Sequence, residues 1–333
     1  MWKRIKLRFA DLFIEFADRD LALSQIEEFA QRGTYPVYVI YGPEGCGKTA
    51  LFRQAMEILK TYGYAVAMVS PLASTVEERF LLTENVKEIA RELVSTVSAA
   101  SAIELIYVAV ELLYRAVRCG ISRKIALLAD DVFQAVGLDK AEQLVKMFLN
   151  MIEYPAVDYD EIVVLVSSSE GVTRPRVGRH NWARMYILWN MSMKGFEKLY
   201  EQLPEPKPSF EKVWKFTGGN PRLLSQLLVN DWNPEVIIQE IIRRGLLPLV
   251  KRWRNDLVKV VEDPDYLWHE YPRTEQLIHE LVELNIITEL WERDSGYVDT
   301  PPPDEDPEIG IGKYFAWQTP IHREAVRKAL RLI

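Results

Sequence analysis

The stretch Val37 to Thr49, VYVIYGPEGCGKT, constrains this chain more than any other. Val37, Tyr38, Val39 and Ile40 form a β-branched and aromatic run suited to a buried strand. Ala50 to Tyr62 carries apolar residues at helical spacing: Leu51, Phe52, Ala55, Met56 and Leu59. Between them stand Gly42 and Gly47, five positions apart and followed by Lys48 and Thr49, which is the spacing of a phosphate-cradling loop. Gly42, Gly45 and Gly47 let backbone N–H groups turn inward toward a polyphosphate, in front of a helix start that already favours negative charge. Lys48 is expected to reach the β- and γ-phosphates as a binding and catalytic group, and the Thr49 hydroxyl to ligate Mg²⁺. Pro43, Glu44, Cys46 and Ala50 complete the expected nucleotide-binding stretch.

Such a loop needs a carboxylate partner, and Lys124 to Asp131, KIALLADD, supplies one: an apolar strand ending in two adjacent acids. Asp130 is the candidate for the Mg²⁺ shell, and Asp131 the candidate base that orients and deprotonates an attacking water. An apolar run closed by an acid is also common at solvated strand ends; the glycine loop upstream is what favours function here. Ile162 to Val166 runs into Ser167, Ser168 and Ser169. Ser168 is placed against the γ-phosphate or the water, with a hydroxyl-rich turn as the alternative. The loop Thr173 to Arg179 carries Arg174, Arg176 and Arg179. Arg179 is the candidate to stabilise the phosphoryl transition state, in its own site or a neighbour's, and solvated charge is the plainer reading of the three.

With Tyr64 to Val69 and Met185 to Leu188, these segments make five buried strands separated by helices. The expected fold is α/β, a P-loop parallel sheet sandwiched by helices with nucleotide at the carboxyl ends of the strands, followed by a helical lid and a winged-helix-like domain. Pro204 to Pro208, PEPKP, is a stiff link that marks a boundary. Beyond it, Gly218 and Gly219 end one helix, Asn220 caps the next, and Pro221 suits its first turn. Arg222 would then lie near a helix start, a poor place for a cation unless an anion such as phosphate is close. From Thr274 the pattern is a helix (Glu275 to Leu284), a strand (Ile286 to Trp291), a polar excursion (Arg293 to Lys313), a returning strand (Tyr314 to Thr319) and a last helix. That order reads as a winged helix, a module that contacts DNA or protein. The expected division is a core with an N-terminal lead-in over 1–203, a helical lid over 204–265 and a winged-helix-like domain over 266–333.

The opening MWKRIKLRFADLFIEF is interrupted by Asp11 and Glu15 too early for a signal peptide and reads as a lead-in helix, while Asp18 could cap the helix that follows. Ala99 to Val117 is the most apolar long stretch, but Glu104, Glu111 and Arg115 interrupt it, so no membrane segment is expected. Cys46 and Cys119 give no disulfide framework and fit a reducing, cytoplasmic interior. The net charge of −7 argues against a surface basic all over. Any nucleic-acid contact would need a local patch such as Arg243 to Lys259, which a solvated helix face also explains; Asp304, Glu305, Asp306 and Glu308 in the excursion would repel a phosphate backbone.

These motifs together resemble the archaeal ATPase family of the STAND and AAA+ branch of P-loop NTPases. The matching pieces are FADRD at 16–20, GPEGCGKT at 42–49, IALLADD at 125–131, VGRHNWARMYIL at 177–188, TGGNPRLL at 217–224 and the terminal segment. The resemblance implies that Asp18 and Arg19 lie near the adenine base, and that Asn220, Pro221 and Arg222 belong to a lid facing the phosphates. The Gly-Gly-x-Pro turn looks like the STAND pattern, and Arg222 like the second sensor of other AAA+ proteins. It implies an ATP-binding, Mg²⁺-dependent and slowly hydrolysing switch whose lid and terminal module couple nucleotide state (ATP or ADP) to contact with an unknown protein partner. Two alternatives stand beside it: a DNA-binding ATPase resembling origin-recognition or transposition helper ATPases, and a scaffold that holds ADP without turnover.

Overall fold

A computed structural model describes residues 2–90, 100–169, 177–178, 180–290 and 298–333. The nucleus is a sheet of β3 (Val37–Tyr41), β4 (Ala65–Val69), β5 (Phe80–Leu82), β6 (Lys124–Ala129), β7 (Glu161–Ser168) and β8 (Ala183–Ile187), in the order β5-β4-β6-β7-β3-β8. All neighbours are parallel except β5, which pairs antiparallel with β4. The five parallel strands lie in the segments their apolar runs predict; the edge strand FLL carries too short a run to announce itself.

The strands read as nearly continuous apolar runs because both faces of the sheet are covered. Alternate residues feed separate cores. Tyr38, Ile40, Val66, Met68, Leu128 and Leu165 pack with helices α1 (Asp20–Arg32) and α2 (Lys48–Thr61). Val39, Ala67, Leu127, Val164 and Val166 pack on the other face with α5 (Ala102–Arg118) and α7 (Ala141–Glu153). Two shorter helices, α3 (Val76–Arg79) and α4 (Glu84–Ala90), flank β5, and α6 (Val132–Val136) follows β6.

The N-terminal segment is not the expected helix. Lys6–Phe9 (β1) and Leu12–Glu15 (β2) form an antiparallel hairpin in which Leu7 faces Ile14 and Phe9 faces Leu12. The alternation of Lys6, Leu7, Arg8 and Phe9 has a period of two, which fits a half-exposed strand better than a helix face.

The second half is helical: α8 (Met193–Glu201), α9 (Phe210–Thr217), α10 (Pro221–Val229), α11 (Pro234–Ile241), α12 (Leu247–Glu262), α13 (Tyr266–His269), α14 (Glu275–Glu283) and α15 (Pro320–Leu332). A two-stranded antiparallel sheet of β9 (Ile287–Glu289) and β10 (Phe315–Trp317) lies between α14 and α15. One apolar cluster runs through this half, from Phe196 and Leu224 through Ile241, Val250 and Leu281 to Trp317, Val326 and Ala329. Segments 204–265 and 266–333 therefore share a core, with α15 packed against α11 and α12. Among the described residues no helix is long and apolar enough to cross a membrane.

Candidate nucleotide site

The loops after β3, β6 and β7 all emerge at one edge of the sheet, with β7 separating β3 from β6. This carboxyl edge is where open parallel sheets hold ligands. Gly42 needs to be glycine because an added Cβ would lie 2.1 Å from the Leu188 carbonyl oxygen, and Gly45 because its φ of +81° and a Cβ 2.4 Å from that of Arg222 exclude a side chain. Gly47 is the N-cap of α2, with no side-chain cap and no acid in the first turn. The N–H groups of that turn are thus left to an anion. Lys48 is buried, and its ammonium donates to the Gly42 and Pro43 carbonyls at 2.9 Å each, which holds the charge against the loop.

Asp130 follows the last residue of β6 and is a buried carboxylate. It accepts from the hydroxyls of Ser167 (2.6 Å), Thr49 (2.8 Å) and Ser70 (3.3 Å). Burial, and then the charge of neighbouring Asp131, push its carboxyl above the ordinary aspartate range, while the Ser167 and Thr49 hydroxyls oppose that shift. Asp131 has a φ of +48°, a left-handed conformation that Asp tolerates, and is the N-cap of α6. Its N–H donates to Ser167 Oγ and its carboxylate accepts from Ser169 Oγ, both at 3.0 Å. From the serine run after β7, Ser167 and Ser169 thus join Thr49 and Ser70 in bonding the two acids. In an extended chain residues i and i+2 share a side, which fits Ser167 and Ser169 bonding neighbouring acids.

Thr49, Asp130, Asp131, Ser70 and Ser169 line a cavity of about 470 Å³ together with Arg53, Gln134 and, from the helical half, Arg222 and Asn285. Arg222 stands in the first turn of α10 after Asn220, whose side chain caps that helix at Leu223 N, and Pro221 at its first position. The anion beside it is Glu44 of the glycine loop, with Arg222 Nη1 to Glu44 Oε1 at 2.8 Å. Two residues on the strand side of the loop behave differently from the local expectation. Asp18 does not cap α1: Arg19 is the N-cap, without a side-chain bond, and the Asp18 carboxylate pairs with Lys198 at 2.9 Å. Both residues have positive φ, 56° and 62°. Arg19 is buried behind the loop, donating to the Cys46 and Trp189 carbonyls and pairing with Asp299 at 2.8 Å. Ala50 sits in the first turn of α2 and packs toward the α1–α2 core. Arg174, Arg176 and Arg179 lie outside the described residues.

Mg²⁺ prefers hard oxygen donors and often takes one or two carboxylates plus phosphate oxygens and water. The adjoining Thr49 hydroxyl and Asp130 carboxylate are such a donor set, and Asp130, buried among hydroxyls, is a carboxylate that a cation would suit. Among the described residues no group of three or more His, Cys, Asp and Glu is placed to hold a metal ion by itself. Any ion here would therefore rely on phosphate and water for the remaining positions.

The chain matches a family described as an ATPase domain predominantly from Archaea, over residues 16–227. It belongs to this family of nucleotide-binding ATPases, as the motifs imply. No curated protein matches it. Among solved structures it is similar to the ORC1 protein of Aeropyrum pernix in complex with DNA, at 16% identity and TM-score 0.42, covering 96% of this chain and 95% of that one. It is also similar to the ORC2 protein of Aeropyrum pernix in its ADPNP-ADP complexes, at 12% identity and TM-score 0.40, with 93% and 94% covered. AMPPCP-bound DnaA from Aquifex aeolicus matches at 17% identity and TM-score 0.37, with 77% and 73% covered. Likenesses this distant say nothing of what this chain binds.

Proposed function

We propose that this ATPase is a Mg²⁺-dependent switch in which ATP bound at the glycine loop is hydrolysed and the nucleotide state is passed to the helical half. The supporting observation is that one cavity is lined by Thr49, Asp130 and Asp131 from the sheet edge and by Arg222 and Asn285 from the helical half. In this reading Gly42 to Ala50 hold the phosphates, with Lys48 countering their charge. Thr49 and Asp130 hold Mg²⁺, which when bound would neutralise charge on the phosphate oxygens. Asp131, steadied by Ser169, orients a water and takes its proton. Arg222 exchanges its Glu44 partner for phosphate, which draws α10 toward the site. Arg179 remains a candidate for the transition-state charge, and Ser168 for sensing the γ-phosphate.

We assign the core to 1–203, a lid to 204–265 and a winged-helix-like module to 266–333, whose task is contact with a protein partner. A DNA-handling role is the second reading, favoured by the exposed cations Arg243, Arg244, Lys251, Arg254 and Lys259 around the start of α12 and along it. It requires duplex retardation at low salt that weakens steeply as salt rises, and no retarded duplex at low salt removes it. For the main reading the test is Lys48→Ala. Steady-state phosphate release from ATP should fall by at least about a hundredfold, as expected for loss of a charge-stabilising group; turnover equal to the parent's would remove the role given to the loop.

A further inference from the structure

Glu44, in the middle of the glycine loop, is held on every polar side by the other half of the molecule. Its N–H donates to Gln318 Oε1 at 2.9 Å, its carbonyl accepts from Asn220 Nδ2 at 2.9 Å, and its carboxylate accepts from Arg222 at 2.8 Å. The amide contacts form a closed ring. Asn220 Oδ1 accepts the Leu223 N–H, which fixes the orientation of that amide and leaves its nitrogen to donate. That nitrogen donates to Glu44 O and, at 2.8 Å, to Asn190 Oδ1. Asn190 Nδ2 in turn donates to the Gln318 carbonyl at 2.9 Å, and Gln318 returns to the Glu44 N–H. Asn190, Asn220 and Gln318 are only 4%, 1% and 4% exposed.

We infer that Asn190 and Gln318 are positioning residues of the ATPase cycle, which transmit the shape of the glycine loop at Glu44 to β10 and α15. The inference rests on the switch reading above and supplies its linkage. Buried amides in a ring cannot turn singly, because each turn leaves a neighbour's donor or acceptor unpaired away from water. A loop that shifts around phosphate moves both the N–H and the carbonyl of Glu44, and so the whole ring. Gln318 lies one residue past β10 and two before α15, and its own N–H donates to the Ile286 carbonyl beside β9. The displacement is thus delivered to the sheet and helix that close the second core.

The ring could instead be plain support for the fold, and the test separates the two. Hydrogen exchange of the full chain is measured with ADP and with a slowly hydrolysed ATP analogue, in peptides covering α15, for the parent, Gln318→Met and Asn190→Ser. Methionine keeps the volume of Gln318 and removes the acceptor. The parent should exchange differently in the two states. In both variants that difference should shrink about tenfold, the effect of losing one buried hydrogen bond, while the Kd for either nucleotide moves less than about threefold. A parent response that survives in both variants overturns the ring alone. Loss of nucleotide binding in both variants assigns the ring to structural support and also overturns it. A parent with no difference between the two nucleotides overturns the switch reading, and this inference with it.

Discussion

Asp130 and Asp131 are adjacent in sequence and stand in opposite surroundings. Asp130 is enclosed by the hydroxyls of Thr49, Ser70 and Ser167, whereas Asp131 faces the cavity with Ser169 beside it. One acid is therefore suited to a metal and the other to a water, a division that the strand end KIALLADD already suggests. A different residue adds its own dependence on acid. His322 sits at the start of α15 with Nδ1 2.7 Å from Thr319 Oγ1, and burial, then the charge of Arg244, lower its pKa from 6.5 to about 4. A lowered folded-state pKa means that the unfolded chain binds the proton first, so stability is full above pH 6.5 and is lost as the pH falls toward 4. The loss from this group should be about 1 to 3 kcal/mol. Urea unfolding of His322→Gln should show a flatter dependence on pH across that window than the parent, and an identical slope would assign the acid sensitivity to other groups. The glycine loop and both acids were legible because each is a short pattern with its own chemistry. Asn190, Gln318 and Asp299 were not, since their partners lie 30 to 280 residues away and no local spacing encodes them.

Among the elements, the sheet was the most readable part, because strands covered on both faces must be apolar throughout. The N-terminal hairpin, read as a lead-in helix, was missed because its strands are only four residues each, and the edge strand β5 because three residues carry little pattern. The excursion before β10 reads as polar filler in sequence, yet Val298 is buried against the α1–α2 core and Asp299 reaches Arg19 behind the glycine loop. Both members of that pair are about 5% exposed, so removing one strands the other's charge away from water. Asp299→Ala should cost about 3 kcal/mol in urea unfolding, the scale of breaking a buried pair from one side. A change below about 0.5 kcal/mol, typical of an exposed pair, would show that Arg19 is satisfied by the Cys46 and Trp189 carbonyls alone.

At the scale of the whole molecule, the stiff link Pro204 to Pro208 was visible in composition, but the core that runs across it through the helical half was not. Helical spacing gives the apolar face of each helix without saying which other face it meets. That shared core, from Phe196 to Ala329, means that a displacement entering at Arg222 or Gln318 acts on a packed body rather than a loose lid. In the proposed cycle, ATP bound at the glycine loop is hydrolysed by a water that Asp131 activates. Single-turnover hydrolysis of bound ATP by Asp131→Asn, with ATP affinity measured on the same preparation, tests it most directly. Affinity should stay within about threefold of the parent's while hydrolysis slows about 10²- to 10⁴-fold, the usual contribution of a general base. Parent-like hydrolysis in this variant would contradict it.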